Sequence, residues 1–296
     1  MKRRDLFRLS TASALTAALP GIGAAALAPA PAPLPVPAQG PITVAFLLAK
    51  DAVLIDFAGP WEVFQNVSVP GRDEGPVFRL FTVAETTAPI IAGGSMTITP
   101  EYTFATAPAA NIVVIPAQGG PTTAAIAWIR EAALTADLTM SVCTGAFVLA
   151  RTGLLSGRSA TTHHGSFRQF AMQYPDVQLK RGARFVETGR FASSGGLSSG
   201  IDLALRVVER YFGRPVARNT ADVLEYQGKG WLDPMSNRAY TRPRSAAGNH
   251  PLCPVCDMEV DKATASTSTY RRKTWYFCSV EHKQAFDAQP AGYLAR

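Results

Sequence analysis

Two groups of residues in this chain have the types and spacing to do chemistry. The first centres on Cys143 in Thr139-Met140-Ser141-Val142-Cys143-Thr144-Gly145-Ala146-Phe147-Val148-Leu149-Ala150. A β-rich run meets a helical one there, with the cysteine at the junction. Gly145 and Ala146 are small enough for a helix start to pack closely on a strand end, the elbow that lifts a nucleophile above a parallel sheet. A helix N-terminus lowers a thiol pKa and offers backbone N–H groups to an oxyanion, so a reactive thiolate is expected. The competing role is a buried structural cysteine, the usual fate of a lone Cys. The second group is Cys253-Pro254-Val255-Cys256, followed by Cys278-Ser279-Val280-Glu281-His282. A C-x₂-C pair and a C-x₃-H pair supply four soft or borderline ligands at metal-knuckle spacing. A helix would put Cys278 and His282 on one face. The alternative, a Cys253–Cys256 disulfide in an oxidising compartment, leaves Cys278 unpaired, because three cysteines cannot all pair.

The elements that must position Cys143 alternate between strands and helices. Ile42–Leu48 is a nearly continuous apolar run, as for a strand buried on both faces. Pro60-Trp61-Glu62-Val63-Phe64 reads as a helix start, with Pro near the first helical position and Glu62 in the first turn. Strands are expected over 77–84, 111–115 and 138–142, and a helix over 122–135. Leu197, Ile201, Leu205, Val208 and Phe212 mark one helix face, stopped by Gly213. This alternation implies an α/β fold with a parallel sheet between helical layers, binding ligands at the carboxyl ends of its strands.

At 296 residues and 47% hydrophobic, the chain is long enough for one substantial core and a smaller second domain. Lys2-Arg3-Arg4-Asp5-Leu6-Phe7-Arg8 precedes an Ala-rich run that ends near Leu27. A charged start, a short apolar stretch and small residues at 24–26 describe a secretory signal over 1–28. The paired arginines point to the twin-arginine translocase as its partner, giving a periplasmic or secreted protein. Pro20 and neighbouring glycines argue against an uncleaved anchor, and no later segment is long and apolar enough to span a membrane. Pro29–Pro41 is expected to be a stiff polyproline-like tether outside the fold. The +7 charge falls to +4 without the charges of residues 2–8, and the remainder is dispersed, which excludes a nucleic-acid footprint. From 232 to 249 the chain turns polar and rich in Pro, Ser, Arg and Gly, as a linker does. Residues 250–296 are too few to build a core unaided, so a metal would supply the missing stability.

Four stretches taken together resemble the DJ-1/PfpI superfamily: Asp56-Phe57-Ala58-Gly59-Pro60-Trp61-Glu62-Val63-Phe64, Ser141-Val142-Cys143-Thr144-Gly145, Gly153–His163, and Ser194-Gly195-Gly196-Leu197-Ser198-Ser199-Gly200-Ile201-Asp202. The resemblance runs from about 42 to 231. It implies a flavodoxin-like three-layer sandwich, a homodimer, and no cofactor for this domain. Within the superfamily the chain is most similar to the isocyanide hydratases and to the sensor domains of AraC-type regulators; no helix-turn-helix pattern follows. Carried over from the hydratases, Asp56 contacts Cys143 and shuttles a proton while the thiolate attacks the isocyanide carbon. Its competing role is a helix N-cap ahead of Pro60. Glu62 reads more simply as a dipole partner. Where the family has a Pro-Gly-Gly turn this chain has Pro116-Ala117-Gln118-Gly119-Gly120, so the oxyanion hole would be rebuilt around Gln118, Gly119 and Gly120. Thr144 replaces the His that follows the cysteine in protease-like members, which argues against peptidase chemistry and places Thr144 in the site. His163 and His164 follow an expected strand and could face the pocket. Residues 251–294 resemble the YHS domain, with His282 in place of its last cysteine. A Cys₃His set suits Zn²⁺, and thiolates also favour Cu(I).

These readings make the chain a cysteine-dependent hydro-lyase for a small electrophile, with the tail as a metal module. The alternatives are a non-catalytic periplasmic protein that handles metal or senses oxidative stress, and a glyoxalase-like enzyme acting on 2-oxoaldehydes.

Overall fold

A computed structural model describes residues 31–72, 75–241 and 250–294. The expected signal (1–28), the first residues of the tether and residues 242–249 of the expected linker lie outside the described residues.

The central sheet has seven strands: β1 (Ile42–Leu47), β2 (Phe78–Ala84), β3 (Tyr102–Thr103), β4 (Ile112–Ile115), β5 (Leu138–Val142), β6 (Phe185–Thr188) and β7 (Phe191–Ser194). Their order is β6-β7-β5-β4-β1-β2-β3. Every pairing is parallel except β6 with β7. Alternate residues feed two cores. Val44, Phe46, Val114, Met140 and Val142 pack with α1 (Leu54–Gln65), α5 (Ser199–Phe212) and α6 (Arg214–Val223). Ala45, Leu47, Val113 and Ile115 pack with α2 (Thr123–Thr135), α3 (Gly145–Arg151) and α4 (Phe167–Gln173). This is the expected three-layer flavodoxin-like sandwich, and burial on both faces explains the unbroken apolar runs.

Four local expectations are corrected. Helix α1 begins at Leu54, not near Pro60, which sits inside it. Close packing overrides the cost of the proline: Gly59 lies so near α5 that a Cβ there would come within 2.9 Å of Ile201, and Gly200 sits against Pro60 and Val142. Asp56 is therefore a first-turn residue rather than an N-cap, a position that Val53 fills without a side-chain bond. Glu62 moves to the C-terminal half, where its carbonyl and carboxylate accept from Asn66 and its carboxylate from Gln65. Leu197 falls before α5, with φ 51° and its side chain exposed.

Neither expected connector is free-standing where it is described. Leu34 is buried, its N–H donates to the Arg210 carbonyl at 2.9 Å, and Arg210 Nε donates to the Ala32 carbonyl at 3.1 Å. Residues 230–241 wrap the edge of the domain around buried Asp202, which is held by Arg184, the Tyr226 hydroxyl at 3.0 Å and the Trp231 N–H at 2.8 Å. Pro234 accepts from the Arg184 N–H at 2.7 Å, and Asn237 from its guanidinium.

The C-terminal segment forms an antiparallel hairpin, β8 (Ser266–Tyr270) and β9 (Lys273–Phe277), then α7 (Val280–Ala288) and α8 (Pro290–Leu294). Its core is small: Val255, Val260, Phe277, Phe286 and Tyr293 gather around Cys253 and Cys256. Among the described residues no helix is long and apolar enough to cross a membrane.

Candidate active site and metal centre

Cys143 occupies the elbow between β5 and α3 with φ 58°, the left-handed region that costs a non-glycine residue about 1–2 kcal/mol. The surrounding structure imposes it. The Cys143 N–H lies between the carbonyls of Ser194 and Gly195 at 3.2 and 3.1 Å, and the Thr162 hydroxyl donates to the Cys143 carbonyl at 2.9 Å. Gly145 must be glycine, since a Cβ there would stand 2.2 Å from the Ile115 carbonyl oxygen and 2.8 Å from that of Pro116. The turn that aims the thiol is thus clamped from β4, β7 and the strand end itself.

Asp56 reaches the same point from α1. Its side chain is fully buried, and Oδ2 accepts from the Ala117 N–H at 3.1 Å. Oδ1 has no partner of ordinary hydrogen-bond geometry, and the Cys143 thiol stands beside the carboxyl. Burial pushes the Asp56 pKa up to about 7, opposed by the Ala117 N–H and the thiol. Burial, then the neighbouring Asp56 charge, pushes Cys143 up to about 12, although the N–H groups of Thr144 and Leu197 favour its thiolate. The expected low thiol pKa is overturned. The helix-start N–H groups are present, but desolvation and a carboxylate outweigh them. The resting pair is a thiol against a carboxyl poised near neutrality.

The structure brings the Asp56 carboxyl and the Thr144 N–H to the Cys143 thiol, and Gln118, Gly119, Gly120 and Thr144 line one cleft that Cys143 and Asp56 do not themselves line. Two of the turn's N–H groups are already spent, Ala117 on Asp56 and Gly119 on the Lys50 carbonyl at 2.8 Å. Gly119 is therefore not a free oxyanion donor. The Gln118 amide oxygen is buried with no partner. His163 does not face the cleft. Its ring lies against Gly196, where a Cβ would meet it at 2.1 Å, and its Nδ1 accepts from the Gly165 N–H at 3.2 Å. Burial and then the adjacent His164 push its pKa down to about 4, so it stays neutral and structural. Sequence reasoning assigned no role in the site to Ala117, Thr162 or Leu197, the last being read only as part of a helix face. Their contributions are two backbone N–H groups and one hydroxyl, which a residue pattern does not reveal.

The four C-terminal ligand candidates converge. The donor atoms of Cys253, Cys256, Cys278 and His282 all lie within 4.8 Å of one another. Cys256 and Cys278 sulfurs are 3.4 Å apart, and His282 Nδ1 is 3.0 Å from Cys278 and 3.9 Å from Cys253. A tetrahedral metal with bonds near 2.3 Å separates its sulfur ligands by about 3.8 Å, so the set fits one ion. All four cysteines of the chain are free thiols here. Cys278 precedes α7 rather than lying on it; Ser279 caps the helix, accepting from the His282 N–H at 3.2 Å, and this turn brings both ligands to the cluster, with Cys278 on its exposed side. Hydrogen bonding from Cys256 and then His282 draws Cys253 far below the usual thiol range, while the Cys253 hydrogen bond and burial push Cys256 far above it. The cluster can hold a metal ion.

An α/β sandwich with a cysteine on a clamped elbow and a carboxyl beside it defines a class, and the sequence matches that class directly. Residues 42–210 match the DJ-1/PfpI family, and the chain belongs to it. It is 28% identical over 195 residues to an isonitrile hydratase of Pseudomonas putida, covering 62% of this chain and 78% of that protein. It is 25% identical to the HTH-type transcriptional regulator GbdR of Pseudomonas aeruginosa, covering 64% of this chain but only about half (52%) of the regulator. Among solved structures, a ThiJ/PfpI family protein from Pseudomonas syringae superposes with a TM-score of 0.57 at 23% identity, over 66% of this chain and 78% of that one. Drosophila melanogaster DJ-1beta superposes at 0.55 and 17% identity, over 64% of this chain and all of that one.

Proposed function

We propose that this protein is a cysteine-dependent hydro-lyase that resembles isonitrile hydratase and adds water to a small electrophile. The observation that carries the reading is the buried Asp56 carboxyl beside the Cys143 thiol, with pKa values of about 7 and about 12. A carboxylate near neutrality is the base for a thiol that does not ionise alone. With an isocyanide, sulfur bonds to the terminal carbon as Asp56 takes the thiol proton. Asp56 then delivers that proton to the same carbon, leaving a thioimidate. Water adds to this carbon, and loss of the thiol, reprotonated in the process, releases an N-substituted formamide. The Thr144 and Leu197 N–H groups favour the charged sulfur during transfer.

The reading extends to the ends of the chain. Residues 1–28 direct twin-arginine export, giving a periplasmic or secreted protein, and the sandwich pairs as a homodimer. The segment 251–294 is a YHS-like module holding zinc or copper(I). That export route carries folded proteins, so the metal would be loaded before export.

A second reading, a non-catalytic sensor or metal-handling protein, draws support from the Gly119 N–H being spent on Lys50 and from the 7% exposure of Cys143. The test is formamide production from an aryl isocyanide by the full mature chain, beside Cys143→Ala. Turnover lost in the variant supports the hydro-lyase. Turnover absent from both proteins refutes it, and 2-oxoaldehyde and peroxide assays then separate the glyoxalase-like and sensor readings.

A further inference from the structure

The C-terminal module does not hang from the domain; it docks beside the elbow. Arg168 of α4 donates to the carbonyls of Pro254 and Tyr293, one from the C-x₂-C turn and one from α8. Met172, one turn further along α4, packs into the module's core, and Gly292 sits against its methyl end. Gly165 lies under the Cys256 carbonyl, where a Cβ would meet it at 3.3 Å. These contacts carry Glu281 and His282 to a cleft of about 550 Å³, whose opposite wall holds Gln118, Thr144, Phe147 and Arg151.

We propose that this cleft between the two modules is a binding site for a small, uncharged molecule with an apolar body, and is the route by which it reaches Cys143. The substrate-class part rests on the hydro-lyase reading; the route does not. Three observations support it. Cys143 is nearly buried and lines neither this cleft nor the one behind the Gln118 turn, but its chain neighbour Thr144, whose N–H favours the thiolate, lines this one, so the short path to the thiol starts here. The lining is charge-balanced, Arg151 against Glu281, with Phe147 and Tyr174 supplying apolar surface. The Gln118 amide oxygen is a buried acceptor without a partner on the turn that separates this cleft from the one behind it, the kind of polar group that a ligand donor satisfies. Three cysteines and a histidine also fill a tetrahedral metal, which leaves no open coordination position. The ion's part is to fold the module and hold Glu281 and His282 in the wall.

A second cleft of about 270 Å³, behind the same Gln118–Pro121 turn, is lined by Leu48, Ile90, Phe104 and Thr86 of the main domain alone. It is the competing route. Access is read as the rate at which iodoacetamide, a small neutral reagent, labels Cys143 in the metal-loaded full chain, followed on the Cys143 peptide by mass spectrometry. Gln169→Trp, which fills the inter-module cleft, is expected to slow labelling at least tenfold, with Ser166→Trp as a second blocking variant should the first not fold. Thr86→Trp, in the other cleft, is expected to leave the rate within twofold. Arg168→Ala, which frees the module, is expected to raise it severalfold. The proposal is overturned if Thr86→Trp slows labelling while the blocking variants do not, or if no variant alters the rate. Because labelling needs no turnover, a failed hydratase assay leaves this result readable.

Discussion

Replacing Asp56 by asparagine should stabilise this protein at alkaline pH while removing its proposed base. A carboxyl whose pKa rises from 3.8 in the open chain to about 7 in the fold binds its proton more tightly when folded. The associated stability is fully present below the unfolded pKa and is lost as pH rises through the folded one. At 1.36 kcal/mol per pH unit, the loss totals about 4 kcal/mol, of which about 3 kcal/mol falls between about pH 5 and about pH 8. The asparagine amide of the Asp56→Asn variant keeps an oxygen to accept from the Ala117 N–H and carries no charge to desolvate. The unfolding free energy of Asp56→Asn relative to the natural protein should therefore grow by about 3 kcal/mol over that range, by urea titration of the metal-loaded chain. A difference that does not change with pH would mean that Asp56 is ionised at all these values, and the proton-holding carboxyl would be refuted.

Two other perturbations have definite outcomes. Gly145→Ala would drive a Cβ to within 2.2 Å of the Ile115 carbonyl, a backbone atom that cannot swing aside; a loss of about 3 kcal/mol is expected, checked by urea midpoint. Removing the metal with a chelator should unfold the C-terminal module and leave the seven-stranded sheet intact, since binding energies on the order of 10 kcal/mol support such small modules; hydrogen exchange should show protection lost over 266–277 and 280–294 while the sheet keeps its own, and retained protection in the module would refute metal-dependent folding.

What could be read from the sequence followed how locally each feature is encoded. The buried strands were legible because two-sided burial leaves unbroken apolar runs, and the Val142–Gly145 elbow because only glycine tolerates the approach of β4. The start of helix α1 was not legible, because Pro60 signals a helix start whereas the fit of Gly59 and Gly200 against their neighbours decides the outcome, and that fit is tertiary. The Pro-rich segment reads as a tether from its composition; nothing in its own sequence announces that Leu34 finds a slot beside Arg210. The metal ligands were legible because their spacing is itself the signal. The docking contact through Arg168 was not, because one arginine reaching two carbonyls, 86 and 125 residues away, leaves no pattern.

The thiol pKa runs opposite to the sequence expectation, and the reason separates catalyst from sensor. A helix N-terminus argues for a resting thiolate, and a sensor needs one, because oxidants attack the thiolate form. Here the pair is arranged the other way, with the weaker acid on sulfur and the base beside it. Such a site holds its nucleophile protonated until a substrate carbon accepts the sulfur and Asp56 accepts the proton. Alkylation of Cys143 by iodoacetamide should then rise with pH across the whole range from about pH 6 to about pH 10 and show no plateau near neutrality. Asp56→Asn should act in opposite directions on the two chemistries. Without the carboxylate charge the thiol pKa falls, so labelling near pH 9 becomes faster; without the base, isocyanide turnover falls on the order of a hundredfold. A variant that slows both equally would show that Asp56 only shapes the pocket, and the shared-proton mechanism would fail.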